Sequence, residues 1–119
     1  MLQGSCHCGA VRFDYHATAD RAVTCNCSIC RRLGATWIYA NADQITFHMA
    51  EGATRRYLRD EKNIGFHSCT TCGCPTHWEN MSEPDTGHMA VNLNLCDLAE
   101  AAKIPLRHFD GADSWSFID

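Results

Sequence analysis

The residues of this chain whose types and spacing favour chemistry are its cysteines, nine in 119 residues. They stand at Cys6 and Cys8, at Cys25, Cys27 and Cys30, at Cys69, Cys72 and Cys74, and at Cys96. Thiols two or three positions apart are typical of tetrahedral metal sites, in which each thiolate supplies one ligand sulfur. Metal binding is therefore the chemistry to expect, and the question is how the thiols divide among sites.

The segments CHCG and CTTCG together supply four thiols with the spacing of a closed zinc site. Cys6 and Cys8 are two positions apart, so on an extended backbone both side chains point to the same face. Cys69 and Cys72 have the spacing of a zinc knuckle, and Gly73 can adopt the positive φ that folds the turn beneath a metal. These four thiols predict a structural zinc ion that contributes on the order of 10 kcal/mol to folding. The alternative is that they are ordinary buried cysteines.

The segment CNCSIC, residues 25–30, supplies three more thiols, Cys25, Cys27 and Cys30. Three protein ligands and a fourth, exchangeable position are typical of catalytic zinc, whereas four protein ligands are typical of structural zinc. Two alternatives stay open. Cys74 or Cys96 can complete a second closed site as its fourth ligand, or one thiol can act as a nucleophile beside one of the seven histidines.

Composition narrows the class of protein. With 119 residues, 45% of them hydrophobic and 20% charged, the sequence predicts one globular domain over residues 1–119. The segment MLQGSCHCGA does not follow the pattern of a signal peptide, and no apolar run approaches the roughly 18 residues of a membrane span. We therefore expect a cytoplasmic protein with no membrane partner, in which reducing conditions favour metal ligands over disulfides.

The charge distribution bears on partners. The net charge is −4, and nucleic-acid binding needs cationic surface that displaces counterions. The densest basic run, TRRYLRDEK at 54–62, is interrupted by Asp60 and Glu61 and is interpreted as an exposed strand face. We therefore expect no nucleic-acid partner.

Short strands must position the cysteines, because the chain between them has a β-rich pattern. Val11, Phe13 and Tyr15 alternate within AVRFDYHA, residues 10–17, and predict a half-buried strand. Six further segments are rich in β-branched and aromatic residues and are separated by Gly, Asn, Asp and Pro: ATWIYAN (35–41), QITFHM (44–49), TRRYLRD (54–60), IGFHS (64–68), PTHWE (75–79) and HMAVNLNL (88–95).

One helix is predicted, over residues 97–103, with Asp97 as its N-cap and Pro105 beyond its end. The segment SEPDTG, residues 82–87, is predicted to be a loop. The sequence therefore predicts a mainly β fold of short antiparallel strands with at most one short helix.

Three blocks, GSCHCGAVRF, CNCSICRRLGA and FHSCTTCGCPTHW, resemble in order and spacing those of the glutathione-dependent formaldehyde-activating enzyme family, which also includes the centromere protein V domain. The resemblance implies a zinc-bound "β-tent" fold. It also implies that Cys6, Cys8, Cys69 and Cys72 hold a structural zinc ion and that Cys25, Cys27 and Cys30 hold a catalytic one. Cys74 and Cys96 depart from the family pattern.

The resemblance further implies a carbon–sulfur lyase that acts on a thiol adduct such as S-(hydroxymethyl)glutathione. A zinc ion with three thiolates carries a net charge of about −1, which disfavours an anionic substrate. Arg31 and Arg32 follow the last thiol, and their planar guanidinium groups can pair with substrate carboxylates. Two alternatives stay open: both arginines are solvated surface residues, or the whole domain is a non-catalytic, zinc-stabilised binding module.

Overall fold

The computed structural model describes residues 1–59 and 63–119, and most of the regular structure in these ranges is β-strand. The strands are β1 (Leu2–Ser5), β2 (Arg12–Tyr15), β3 (Ala22–Cys25), β4 (Trp37–Asn41), β5 (Ile45–His48), β6 (Thr54–Arg59), β7 (Ile64–Cys69), β8 (Pro75–Asn80), β9 (His88–Asn92) and β10 (Leu106–Phe109). The helices are α1 (Cys30–Leu33) and α2 (Leu98–Ala101), and 3-10 turns span Ala42–Gln44 and Leu93–Leu95.

The predicted mainly β fold class is confirmed, with two differences in detail. The helix α2 is the predicted one, and the Asp97 carboxylate caps it by accepting hydrogen bonds from the backbone of Ala99 and Glu100. The helix α1 is additional to the one helix that was predicted. It was not recognised in the sequence because four residues are too few to show a helical period. The second difference is that β10 pairs with β3 in parallel, whereas the other pairs are antiparallel.

The strands form two sheets. One has the order β1-β2-β5, and the other has the order β10-β3-β4-β9-β8-β7-β6. The predicted strand at 54–60 is confirmed as β6 at the edge of the larger sheet, while Asp60 and Glu61 lie outside the described residues. The predicted loop at 82–87 is confirmed.

The core lies where these sheets pack together. Val11, Phe13 and Tyr15, which the alternation placed on one face, are all buried. Phe13 and Tyr15 pack with Ile38 of β4 and Val91 of β9 in the largest core cluster. Within the described parts of the chain, no helix has the length and apolar character needed to cross a membrane.

The parallel pairing of β3 with β10 has a consequence for the cysteines. Parallel strands end at the same edge of a sheet. Cys25, the last residue of β3, therefore lies opposite Phe109, the last residue of β10. The loop that carries Cys27 and the loop that follows Phe109 consequently start side by side.

Candidate metal centres

The first cluster joins the two cysteine pairs that the sequence assigned to one closed site. The sulfurs of Cys6, Cys8, Cys69 and Cys72 all lie within 4.8 Å of one another. Cys8 Sγ is 3.7 Å from Cys6 Sγ and 3.6 Å from Cys69 Sγ. Sulfurs at the corners of a tetrahedron with Zn–S bonds of about 2.3 Å stand about 3.8 Å apart. The spacing of these thiols therefore fits a tetrahedral metal ion.

Two tight turns bring these sulfurs together. Gly73 adopts a φ of 80° and donates its backbone N–H to the Cys69 carbonyl at 2.9 Å. Gly9 adopts a φ of 83° and donates to the Cys6 carbonyl at 3.1 Å. Both angles lie in the left-handed region, where residues with a Cβ are strained, so glycine directly after each pair lets the backbone turn beneath the sulfurs.

Backbone N–H groups favour the charged form of two thiols of this cluster, whereas at Cys8 the backbone N–H of Ala10 is outweighed by burial and the neighbouring thiols, which raise the pKa to about 11. The N–H groups of Cys72 and Thr71 lower the pKa of Cys69. Those of Cys74 and Cys8 lower the pKa of Cys72 to about 5. A metal ion binds thiolates rather than thiols, so these donors prepare the cluster for a cation.

The second cluster contains the three thiols of CNCSIC. The sulfurs of Cys25, Cys27 and Cys30 lie within 4.8 Å of one another. Cys25 ends β3 and Cys30 begins α1, so the short loop between these elements gathers the thiols. The backbone N–H of Cys27 donates to Cys25 Sγ and that of Cys30 donates to Cys27 Sγ, both at 3.4 Å.

The electrostatics of the second cluster differ from those of the first. Burial raises the pKa of Cys30 to about 12 and also raises the pKa of Cys25. Burial opposes ionisation of Cys27 as well, but hydrogen bonds from the backbone and thiol of Cys30 leave the Cys27 pKa below its usual value. Three half-buried thiols this close do not all ionise readily by themselves, so a bound cation would let them act together as thiolates.

Trp37 supplies an independent test of whether a metal fits here. Its indole N–H is buried and has no hydrogen-bond acceptor among the described residues, although a buried donor normally has one. The indole lies close enough to Cys30 to lower the pKa of that thiol. A metal-bound thiolate at Cys30 would accept this N–H, so the residues present fit a thiolate-bound metal ion.

The three thiols open into a cavity of about 220 Å³. Its walls are apolar and aromatic apart from one arginine, and comprise Val23, Ile29, Trp37, Tyr39, Arg59, Ile64, Phe66, Trp78, Phe109 and Trp115 beside the three cysteines. Histidine does not occur among the described residues of this lining, which leaves the cysteine–histidine nucleophile without support. The cavity leaves room for a ligand next to the three sulfurs.

The two cysteines outside these clusters lie elsewhere. Cys74 packs beside Cys6 and Cys69 in a small cluster next to the four-thiol site. Cys96 is buried in the main core. Among the described residues, neither joins the group of three sulfurs, so the second closed site that the sequence left open gains no fourth protein ligand.

The arginines after CNCSIC do not lie in the cavity wall. Arg31 and Arg32 are exposed, and Arg32 donates its guanidinium to the Ser28 carbonyl at 2.7 Å. The cavity is lined instead by Arg59 of β6, whose Nη1 is 3.8 Å from Cys27 Sγ. Arg59 belongs to the basic run TRRYLRDEK, whose sequence predicts an exposed strand face, and this run is the signal that could have pointed to Arg59. Substrate binding by Arg31 and Arg32 stays a prediction.

The fold and the two thiol clusters together define a class: a small, mainly β domain whose cysteines can bind metal ions. A family model described as "Glutathione-dependent formaldehyde-activating enzyme" matches residues 1–109. The chain belongs to this family.

Relatives and solved structures agree with this assignment. A Halomonas elongata protein described as "Putative glutathione-dependent formaldehyde-activating enzyme" is 42% identical over 57 residues, which cover 43% of this chain and 36% of the relative. The matched stretch thus spans little more than a third of that curated relative. The crystal structure of a Rhodobacter sphaeroides protein is similar with a TM-score of 0.69 and 27% identity, over 87% of this chain and 98% of that one.

Proposed function

We propose that this protein is a zinc-dependent carbon–sulfur lyase that acts on the adduct of formaldehyde and a thiol. The adduct that we expect as substrate is S-(hydroxymethyl)glutathione. In this proposal each chain binds two zinc ions in the cytoplasm, a structural one at the four-thiol cluster and a catalytic one at the three-thiol cluster. The observation that carries it is the cavity of about 220 Å³ into which Cys25, Cys27 and Cys30 open, because a catalytic metal needs room for a substrate as its fourth ligand.

The metal and the protein have separate tasks in this reaction. When bound by the three thiolates, zinc would lower the pKa of a substrate thiol and act as a Lewis acid toward the aldehyde oxygen. The aromatic walls, including Trp78 and Phe66, limit the water that competes for the aldehyde. With a metal bound, the indole N–H of Trp37 would donate to the Cys30 thiolate and hold that sulfur in place.

The bond changes require a proton donor at the oxygen. Toward the adduct, the thiol loses its proton, a carbon–sulfur bond forms between its sulfur and the carbonyl carbon, the π electrons move to oxygen, and that oxygen takes one proton, so that no proton is gained or lost overall. The reverse direction breaks the same bond and returns the proton. Tyr39 lines the cavity, and burial raises its pKa to about 12, so its hydroxyl carries a proton at neutral pH. We assign to Tyr39 the hydrogen bond to the substrate oxygen.

A neighbouring cavity accommodates the rest of a glutathione-sized thiol. It has a volume of about 350 Å³ and shares Val23, Tyr39 and Phe109 with the thiol-lined cavity. Arg21 and His88 line this second cavity and can meet a substrate carboxylate. Arg59 offers a further cation beside Cys27. A peptide-like thiol with its sulfur at the cluster and its carboxylates at these residues matches both cavities.

The test is a rate measurement on the zinc-loaded protein. Thiols add to formaldehyde without a catalyst, so adduct formation and breakdown should be followed by NMR against buffer alone, with glutathione, cysteine and 2-mercaptoethanol. We expect acceleration with glutathione and a kcat lower by about 100-fold in Tyr39→Phe, the usual size of a proton-transfer contribution. Cys96→Ala, which alters a cysteine outside both clusters, is the control. No acceleration with any thiol would favour the alternative, a non-catalytic, zinc-stabilised binding module.

A further inference from the structure

The loop after β10, residues 110–116, lies against the loop that carries the three thiols. Gly111 marks the point of closest approach: a Cβ at this residue would stand 2.6 Å from Cys25 Sγ and 3.2 Å from the Cβ of Cys27. Such distances leave no room for a side chain, so glycine is what allows the two loops to touch. The 110–116 loop therefore forms part of the immediate surroundings of the cluster.

Asn26, which stands between two of the thiols, ties the loops together. Its Nδ2 donates to Asp110 Oδ1 at 3.0 Å, and its Oδ1 accepts from the backbone N–H of Ala112 at 3.0 Å. Both ends of the amide are thus engaged by the 110–116 loop. Asp110 in turn accepts from the hydroxyl of Ser114 at 2.9 Å, which fixes the far side of the loop.

This loop presents an exposed aromatic side chain at the cavity. Trp115 lines the thiol cavity although the residue is 71% exposed, and its ring stands edge-on to Phe109 with centroids 5.1 Å apart. Its φ of 55° lies in the left-handed region, which is rare for a bulky residue. The backbone N–H of Trp115 donates to the Asp110 carbonyl at 2.8 Å, so the loop holds this conformation. A bulky side chain held at the cavity by a rare backbone conformation points to a binding role.

We propose that Trp115 contacts the substrate, covering the part of a peptide-like thiol that extends out of the cavity, and that Asn26 positions the loop for this contact. The inference rests on the proposed function, since the ligand is the thiol assigned there. It adds a residue that distinguishes glutathione, whose amide planes can stack on an indole, from thiols that have no amide group. Asn26 acts through the loop and does not touch the ligand.

The direct test is 19F NMR of zinc-loaded protein labelled with 5-fluorotryptophan. The chain has three tryptophans, and Trp115→Phe assigns the signal of Trp115. We expect glutathione to shift the Trp115 signal clearly more than 2-mercaptoethanol does, because only glutathione has amide planes to stack on it, while both thiols shift the signals of Trp37 and Trp78 in the same cavity. Movement of Trp37 and Trp78 with glutathione while Trp115 stays still would overturn the inference. If no signal moves with either thiol, the proposed function fails, and this inference fails with it.

Kinetics provide the second test. We expect Trp115→Ala to raise the KM for glutathione about tenfold, the value of a good aromatic contact, with kcat and the KM for 2-mercaptoethanol within about twofold. Asn26→Ala should likewise raise the KM for glutathione and leave kcat and the KM for 2-mercaptoethanol nearly unchanged. Tyr57→Ala removes another exposed aromatic residue, 63% exposed and outside the cavity lining, and should change neither constant. A fall in kcat for every thiol, or an equal effect of Tyr57→Ala, would contradict the assignment.

Discussion

The two cysteine clusters use the same ligand chemistry and differ in what surrounds it. The four-thiol cluster joins parts of the chain that are far apart, since Cys8 and Cys69 are 61 positions from each other. The three-thiol cluster is local, and an apolar cavity of about 220 Å³ adjoins it. A metal that closes a long loop and has all four ligands from the protein acts on stability, whereas a metal that lacks one ligand beside a cavity acts on substrates. In the proposed assignment, ligand number and connectivity, rather than ligand type, therefore separate a structural metal from a catalytic one.

Backbone donors reinforce this contrast. In the first cluster, N–H groups of the tight turns lower the pKa values of Cys69 and Cys72. In the second, burial raises the pKa of Cys30 to about 12, and a single buried indole N–H is left for that sulfur. The contrast holds for two thiols of each cluster, because the pKa of Cys8 in the first is raised to about 11 and the pKa of Cys27 in the second is lowered.

The largest effect is expected from removing a ligand of the four-thiol cluster. Cys72→Ser should leave the chain largely unfolded, because a structural zinc contributes on the order of 10 kcal/mol, comparable to the whole stability of a small domain. Circular dichroism and thermal melting measure this, with Thr71→Ser as the neighbouring control that removes no ligand. A cooperative melt at the wild-type temperature would show that this cluster does not support the fold.

Removing a ligand of the three-thiol cluster should separate activity from folding. We expect Cys27→Ser to keep the wild-type circular dichroism spectrum, to reduce bound zinc from two ions per chain to one, and to lower the rate of adduct formation by about 100-fold or more. Elemental analysis and the NMR assay measure these changes. If Cys27→Ser unfolds as completely as Cys72→Ser, the distinction between the clusters is wrong.

Arginine variants test which arginine binds the carboxylates of the substrate. Arg59→Ala should raise the KM for glutathione by about tenfold, because Arg59 lines the cavity beside Cys27 and a charged hydrogen bond contributes about 1.5 kcal/mol or more. The double variant Arg31→Ala/Arg32→Ala should have a smaller effect, since both side chains are exposed outside that lining. Steady-state kinetics with glutathione and with uncharged 2-mercaptoethanol compare the two. A larger increase in KM for the double variant would show that Arg31 and Arg32, rather than Arg59, bind the substrate carboxylates.

The smallest effect is expected at Cys74, which packs against the four-thiol cluster without belonging to its group of ligands. Cys74→Ser should leave zinc content unchanged and lower the free energy of unfolding by about 1 kcal/mol, the typical cost of a point substitution. Urea denaturation and elemental analysis measure both quantities. Loss of one zinc ion from this variant would show that Cys74 is a metal ligand, and the assignment of four ligands to the first cluster would then be wrong.

Much of the fold could be predicted where a pattern extended over enough residues. The alternation around Phe13 and the cap at Asp97 were read correctly because each is a local signal. The strands β1, β3 and β10 were not predicted, because their sequences LQGS, AVTC and LRHF lack the strict alternation that marks β2. The parallel pairing of β10 with β3 joins segments far apart in the chain, which no local pattern encodes.

The cysteine spacing predicted a group of four and a group of three, with Cys74 or Cys96 left open as a further ligand, and the structure brings together the same two groups. Ligand spacing is a local property of the backbone, so it can be read without coordinates. Only the tertiary structure decided which residues face the second group. Arg59 and Trp115 enter its cavity from β6 and from the loop after β10, while the adjacent Arg31 and Arg32 lie outside the cavity lining. A cavity is made where distant strands and loops converge, so closeness in sequence does not identify its walls.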